Sequence, residues 1–234
     1  MKAFLLAAGL GTRLRPLTDN VPKCLVPVCS KPLLQWWIDL LEQHNITEVL
    51  INLHYLSEQV KDFIDSNKTK IKFTCVYEEE LLGSAGTLIK NRDFINKNED
   101  FFICYADNLT NYNLSSMLKF HQEKYSLFTM ALFETNKPES CGIVEINENN
   151  KVISFNEKPS HPKSNLANAG IYIANKKIFN YLPISNLKDI GYDMLPLIIN
   201  KMYAWKSNKY LIDIGTLGNL DKAEKEWPKI LNLK

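Results

Sequence analysis

The run Lys2-Ala3-Phe4-Leu5-Leu6-Ala7-Ala8-Gly9-Leu10-Gly11-Thr12-Arg13-Leu14 stands at the start of the chain. Lys2 to Ala7 is a short apolar stretch of the kind that forms a strand buried on both faces. It is too short for a signal peptide, and Gly9, Gly11, Arg13 and Arg15 follow it at once. A strand that runs straight into Gly-x-Gly lets backbone N–H groups approach a phosphate closely. The turn is not a dinucleotide fingerprint, because Leu14 stands where the third glycine belongs, and no Gly-Lys-Ser/Thr follows as in a Walker A loop. Arg13 in the loop and Lys23 after Pro22 supply two cations, a set that suits a triphosphate.

Beyond this loop, strand and helix patterns alternate. Pro32 to His44 carries apolar residues at helical spacing, and Glu48 to Leu53 is a second apolar strand. Ser57 is placed to cap a helix running to Ser66. Strands are predicted at Ile71–Tyr77 and Phe101–Tyr105, a short helix at Gly86–Asn91, and a helix capped by Asn113 or Ser115. The second half reads as strands at Phe128–Phe133, Gly142–Ile146, Val152–Phe155 and Ala169–Ala174, with a turn at Asn147–Asn150. Helices near Lys176–Tyr181 and Asp189–Lys201, short strands at Tyr203–Trp205 and Tyr210–Asp213, and a helix at Leu217–Trp227 close the pattern. The fold class is α/β, with a mostly parallel sheet joined by mixed or antiparallel strands.

The chain has 234 residues, enough for one large domain, with no linker or low-complexity segment. A net charge of +2, from 28 basic and 26 acidic side chains, argues against a nucleic-acid binder that depends on a broad basic surface. No stretch reaches the roughly 18 apolar residues of a membrane helix, so a cytoplasmic protein without membrane partners is expected. Five cysteines without C-x-x-C spacing point to buried or half-buried free thiols rather than disulfides or zinc. Trp36 and Trp37 read as core, and the four scattered histidines form no recognisable triad.

Leu6 to Thr18, followed by Pro22-Lys23-Cys24-Leu25-Val26-Pro27-Val28, strongly resembles the signature of sugar nucleotidyltransferases. Leu82-Gly83-Ser84-Ala85-Gly86, Ala106-Asp107, Phe155-Asn156-Glu157-Lys158-Pro159, Asn168-Ala169-Gly170 and Asp213-Ile214-Gly215-Thr216 then follow in that family's order. The resemblance covers nearly the whole chain and is greatest to the short mannose-1-phosphate guanylyltransferase-like enzymes. It implies a single Rossmann-like nucleotide-diphospho-sugar transferase domain over 1–234, with a mixed, mostly parallel central sheet and without the C-terminal left-handed β-helix of larger relatives. Two departures are Ala106, where the family often has glycine, and Asn156, where many members have valine. Neither removes a reacting group.

The implied reaction joins a nucleoside triphosphate to a sugar 1-phosphate and releases pyrophosphate. By resemblance, Arg13, Lys23 and Asp107 are catalytic, and Asp107 and Asp213 hold Mg²⁺. Leu6, Ala8, Gly9, Gly11, Thr12, Gly83, Ala85 and Gly86 join Arg13 and Lys23 in binding the nucleotide. Asn108, Gly142, Glu157, Lys158, Asn168 and Asp213 fall on the sugar phosphate, with Lys158 on its phosphate and Glu157 and Asn168 on hydroxyls. Glu78-Glu79-Glu80 precedes Gly83, and a carboxylate from Glu79 or Glu80 suits the two adjacent donors of guanine, which favours GTP. A solvated acidic loop in which backbone contacts do the reading is the competing interpretation.

The expected substrates are mannose or heptose 1-phosphate. Alternatives are a uridylyltransferase acting on N-acetylmuramic acid 1-phosphate, a cytidylyltransferase acting on phosphocholine, and a non-catalytic regulatory relative. A homo-oligomer is left open.

Overall fold

The computed structural model describes residues 1–183 and 186–231. In chain order the elements are β1 (Lys2–Leu6), β2 (Pro27–Val28), β3 (Lys31–Pro32), α1 (Leu33–Gln43), β4 (Glu48–Leu53), α2 (Ser57–Ser66), β5 (Lys72–Tyr77) and α3 (Gly83–Lys90). There follow β6 (Asp100–Tyr105), β7 (Asn108–Thr110), α4 (Leu114–Glu123), β8 (Phe128–Glu134), β9 (Gly142–Ile146), β10 (Val152–Glu157) and β11 (Leu166–Asn175). The last are α5 (Leu195–Ile198), β12 (Met202–Lys206), β13 (Leu211–Asp213) and α6 (Leu217–Ile230). The fold is α/β with mixed strand pairing. It divides into two compact units, one of residues 1–81, 105–112 and 209–234, the other of 82–104 and 113–208.

In the first unit, β1, β4 and β5 pair in parallel, with Lys2 opposite Glu48 and Glu48 opposite Lys72. Phe4, Leu5, Val49, Leu50 and Ile51 are all at most 2 % exposed, as continuous apolar strands of a covered parallel sheet should be. Helix α1 buries Leu33, Leu34, Trp37, Ile38 and Leu41, and its first N–H donates to the Val26 carbonyl at 3.1 Å. Each large side chain so buried contributes roughly 1.5–3 kcal/mol. Trp36 is only half-buried, edge-on to Trp227 at 5.4 Å. The β2–β3 ribbon turns through Cys29 and Ser30, both at positive φ, and Cys29 N–H donates to Glu224 at 2.9 Å. Antiparallel pairing of β13 with β7 sets Asp213 opposite Asn108.

In the second unit, β11 is the hub, antiparallel to β6, β8 and β9, with β10 antiparallel to β9 and β12 parallel to β8. Helix α4 packs on β8, β11 and β12 and is capped by Asn113, whose side chain accepts from Ser116 N–H at 2.9 Å.

Three local expectations change. Ser57 is the first residue of α2 rather than its cap, because Leu56 takes the cap position in a left-handed conformation. Asp189 to Lys201 is not one helix but a π-helical turn (Ile190–Met194), the short α5 and a 3-10 turn. Pro196, which brings no N–H, interrupts it. Cys75 is exposed, while Cys24 and Cys104 are buried, and burial pushes the Cys24 thiol up to about 12. No helix among the described residues is long and apolar enough to cross a membrane.

Candidate active site

The first unit gathers a charged cluster beside the glycine loop. Gly11 adopts φ 66, a conformation that favours glycine. Its carbonyl accepts from Leu14 N–H at 2.9 Å and from the Thr18 hydroxyl at 2.7 Å. A Cβ here would lie 3.0 Å from Thr18 and 3.2 Å from Lys23, so the glycine lets the loop close over the lysine. Leu6 and Ala8 lead into the loop, which turns Gly9, Thr12 and Arg13 outward to solvent. Nothing lies within 4 Å of a Cβ built on Gly9, which leaves an open approach to the backbone.

Lys23 is 9 % exposed, and its Nζ stands 2.5 Å from Asp107 Oδ2 and 3.6 Å from Asp213 Oδ1. Arg13 Nη2 lies 3.8 Å from Asp213 Oδ2. The two aspartates are held through their own carbonyls: that of Asp107 accepts from Ile214 N–H at 2.8 Å, and that of Asp213 accepts from the Asn219 side-chain Nδ2 at 2.7 Å. A Cβ on Gly215 would come within 2.7 Å of Arg13 Nη2 and 2.8 Å of both Asp213 oxygens, so this glycine clears room for the ion pair. Burial pushes the Asp213 carboxyl above its ordinary range and Asp107 adds to this, while Lys23 and Arg13 pull it back. Two carboxylates that repel each other and converge on one cation are a hard oxygen pair, which fits a divalent ion completed by phosphate and water oxygens. No group of three His, Cys, Asp or Glu forms a metal cage among the described residues. Mg²⁺ does not need one, since one or two carboxylates are its usual protein share.

The glutamates after β5 divide. Glu78 is buried, its Oε1 accepting from Asn52 Nδ2 at 2.9 Å, while Asn52 Oδ1 accepts from Ala7 N–H at 2.8 Å. This chain ties the end of β1 to β4 and to the start of the acidic loop. Glu79 and Glu80 are exposed. Asn108 is buried on β7.

The second unit holds the sugar-side candidates. Glu157, half-buried at the end of β10, stands opposite Gly142 of β9. Burial raises the Glu157 carboxyl above its ordinary range, with Lys158 opposing and the Asp189 charge adding to the rise. Lys158 is exposed at φ 47, its N–H donating to the Cys141 carbonyl at 3.0 Å. Asn168 sits at an irregularity of β11, with Nδ2 donating to Tyr172 Oη at 2.6 Å and Oδ1 accepting from Gly170 N–H at 3.0 Å.

Gly83, Ala85 and Gly86 are accounted for by packing against residues 187 and 188. A Cβ on Gly83 would fall 2.2 Å from the Lys188 carbonyl oxygen, and one on Gly86 would fall 3.3 Å from the Leu187 oxygen. Ala85 N–H donates to the Lys188 carbonyl at 3.0 Å. Ser84 Oγ accepts from Ile190 N–H at 2.8 Å and reaches Asp189 Oδ2 at 3.3 Å. Ser84 and Gly215 lie in quoted motifs but had no role assigned, and Asp189, Gly191 and Asn52 carried no expectation of a site. Only the glycines, lying beside acidic residues, left a signal that could have found them.

Residues 2–229 match the family described as Nucleotidyl transferase. The chain is 35 % identical to Mannose-1-phosphate guanylyltransferase 1 of Arabidopsis thaliana, a match covering 92 % of this chain and 61 % of that protein. It is 31 % identical to the UTP–glucose-1-phosphate uridylyltransferase of Synechocystis sp., covering 92 % of this chain and 60 % of that one. Among solved structures, HddC from Yersinia pseudotuberculosis superposes with a TM-score of 0.82 at 25 % identity, covering 97 % of this chain and 99 % of that one. The chain thus spans about three fifths of the length of these two curated relatives.

Proposed function

Because the chain belongs to the Nucleotidyl transferase family, we propose that it is a sugar-1-phosphate nucleotidyltransferase, working as one domain on a nucleoside triphosphate and a sugar 1-phosphate. The observation that carries this reading is the Lys23–Asp107–Asp213–Arg13 cluster under the Gly11 turn.

An oxygen of the sugar phosphate attacks the α-phosphorus in line. The new P–O bond forms as the bond to the β-phosphate oxygen breaks, and pyrophosphate leaves with the electron pair. The nucleophile is already ionised near neutral pH, so no general base is needed. The protein's task is to align two anions and neutralise their charge. Lys23 and Arg13 bind the triphosphate oxygens, with Arg13 favouring the departing pyrophosphate. The loop amides from Gly9 to Arg13 add hydrogen bonds. Asp107 and Asp213 would hold Mg²⁺, which when bound supplies Lewis-acid charge stabilisation at the reacting phosphates. Lys158 holds the sugar phosphate, and its left-handed backbone is the kind of strain that accompanies functional positions. Glu157 and Asn168 accept and donate hydrogen bonds at sugar hydroxyls.

GTP is the favoured nucleotide. Exposed carboxylates at Glu79 and Glu80 suit the adjacent N1–H and N2–H donors of guanine. Likeness to a guanylyltransferase supports this, while likeness to a uridylyltransferase keeps UTP as the second reading. The test crosses GTP, UTP, CTP, dTTP and ATP with a panel of sugar 1-phosphates and follows pyrophosphate release. Turnover with GTP and mannose or heptose 1-phosphate is expected. Turnover with UTP or CTP alone overturns the base assignment, and no turnover with any pair overturns the activity.

A further inference from the structure

This inference rests on the reading that Glu157 meets the sugar. The Glu157 carboxylate occupies a seat bounded by two glycines. A Cβ on Gly142 would lie 2.6 Å from Glu157 Oε2, and one on Gly191 would lie 2.8 Å from the same oxygen. Real Cβ atoms essentially never come within 3.0 Å of another heavy atom, so any side chain at either position would have to displace the carboxylate.

The two glycines differ in what else a methyl would strike. At Gly142 the next atoms are Cζ and Cε2 of the buried Phe155 ring, at 2.8 and 2.9 Å, so a methyl there disturbs the core as well. At Gly191 the three nearest atoms all belong to carboxylates: Glu157 Oε2, Asp189 Oδ1 at 3.1 Å and Glu157 Cδ at 3.3 Å. Asp189 cannot readily give way. Its Oδ1 accepts from Tyr192 N–H at 2.9 Å, and its Oδ2 takes the Ser84 hydroxyl at 3.3 Å. The Glu157 carboxylate makes no side-chain hydrogen bond among the described residues. It is the far end of a flexible chain, and it is the group that moves.

We propose that Gly191 is a positioning residue for the sugar: its missing side chain seats the Glu157 carboxylate, and Asp189, pinned by Ser84, forms the back of the seat. The direction in which Glu157 presents its oxygens to sugar hydroxyls is then set from the turn at 189–191. Gly191 is not among the glycines with positive φ, so alanine keeps the backbone. A purely structural role predicts lost stability. A positioning role predicts a selective loss of sugar recognition.

The test measures both Michaelis constants and the melting temperature of Gly191→Ala, Glu157→Asp, Glu157→Ala and the Gly191→Ala/Glu157→Asp double variant. Gly191→Ala should raise KM for the sugar 1-phosphate at least about tenfold, while KM for the nucleotide moves less than about twofold. Shortening Glu157 by one methylene makes room for the added methyl, so the double variant should show the sugar KM of Glu157→Asp alone, a non-additive outcome. If Gly191→Ala lowers the melting temperature by more than a few degrees, the double variant against Glu157→Asp carries the comparison. An unchanged sugar KM in Gly191→Ala, or strictly additive effects, overturns the positioning role. An unchanged sugar KM in Glu157→Ala instead overturns the underlying assignment of Glu157 to the sugar.

Discussion

Lys23 shows how much one side chain can be asked to do. It is nearly buried, and an ammonium in that position needs anionic partners to offset its desolvation. Asp107 at 2.5 Å and Asp213 at 3.6 Å provide them. With Arg13 the cluster is formally neutral, so a divalent ion entering alone must compete with the lysine for the same oxygens. Lys23→Met removes the competitor. Mn²⁺ binding to the nucleotide-free variant, followed by EPR titration, should tighten about tenfold, while kcat falls by about 10²–10³ for loss of a preorganised cation at the phosphates. Unchanged or weaker Mn²⁺ affinity would contradict this account of the cluster. Lys23, Asp107 and Asp213 stood out as candidates in the sequence because Lys23 lies in a long motif and each aspartate closes an apolar strand pattern. Gly191 and Asp189 did not. Asp189-Ile190-Gly191 reads locally as the start of a helix, and its meaning comes only from the approach of Glu157, which is distant in the chain.

At the scale of elements, α4 shows how polar groups anchor a helix onto strands. His121, 1 % exposed on the buried face of α4, meets Thr129 Oγ1 of β8 through Nδ1 at 2.8 Å, and its Nε2 stands 3.5 Å from Asp100 Oδ1 of β6. Asn175 of β11 donates to the same carboxylate oxygen at 2.6 Å. Burial alone would raise the Asp100 carboxyl. The nearby His121 and the hydrogen bond from Asn175 outweigh it and hold the group below its ordinary range. An acid with a depressed folded-state pKa contributes stability above its unfolded-state value and loses it as pH falls through the folded-state value. The melting temperature of the protein should therefore fall below about pH 4 more steeply than that of Asp100→Asn. Equal slopes in the two proteins would show that Asp100 contributes no such linkage.

Helix α4 was also readable in advance, since Asn113 precedes an apolar periodicity and caps it as its chemistry suggests. So were β4 and β9, whose bounds follow directly from their apolar runs. The β2–β3 ribbon escaped notice because Cys29 and Ser30 turn it without a Gly or Asn signal, held by Glu224 of α6. The helix expected over 189–201 breaks because Pro196 and the bonds around Asp189 and Asp193 impose other turns.

At the scale of the whole molecule, the first unit carries the candidate phosphate and metal chemistry and the second the candidate sugar recognition. The near-zero net charge fits small anionic substrates met at a local cluster rather than a polyanion bound over a broad face. The proposed class of chemistry was legible because it needs charges at fixed points along a long motif. The base and the sugar were less legible, because the proposed readers, an exposed loop and a seated carboxylate, depend on geometry that spacing does not encode. Phosphorus NMR of the protein with GTP, mannose 1-phosphate and Mg²⁺ tests the central claim most directly. The expected result is loss of the sugar monophosphate resonance together with a pair of mutually coupled diphosphate resonances and free pyrophosphate, all dependent on both substrates. Triphosphate converted to orthophosphate, or pyrophosphate formed while the sugar 1-phosphate is left intact, would contradict it.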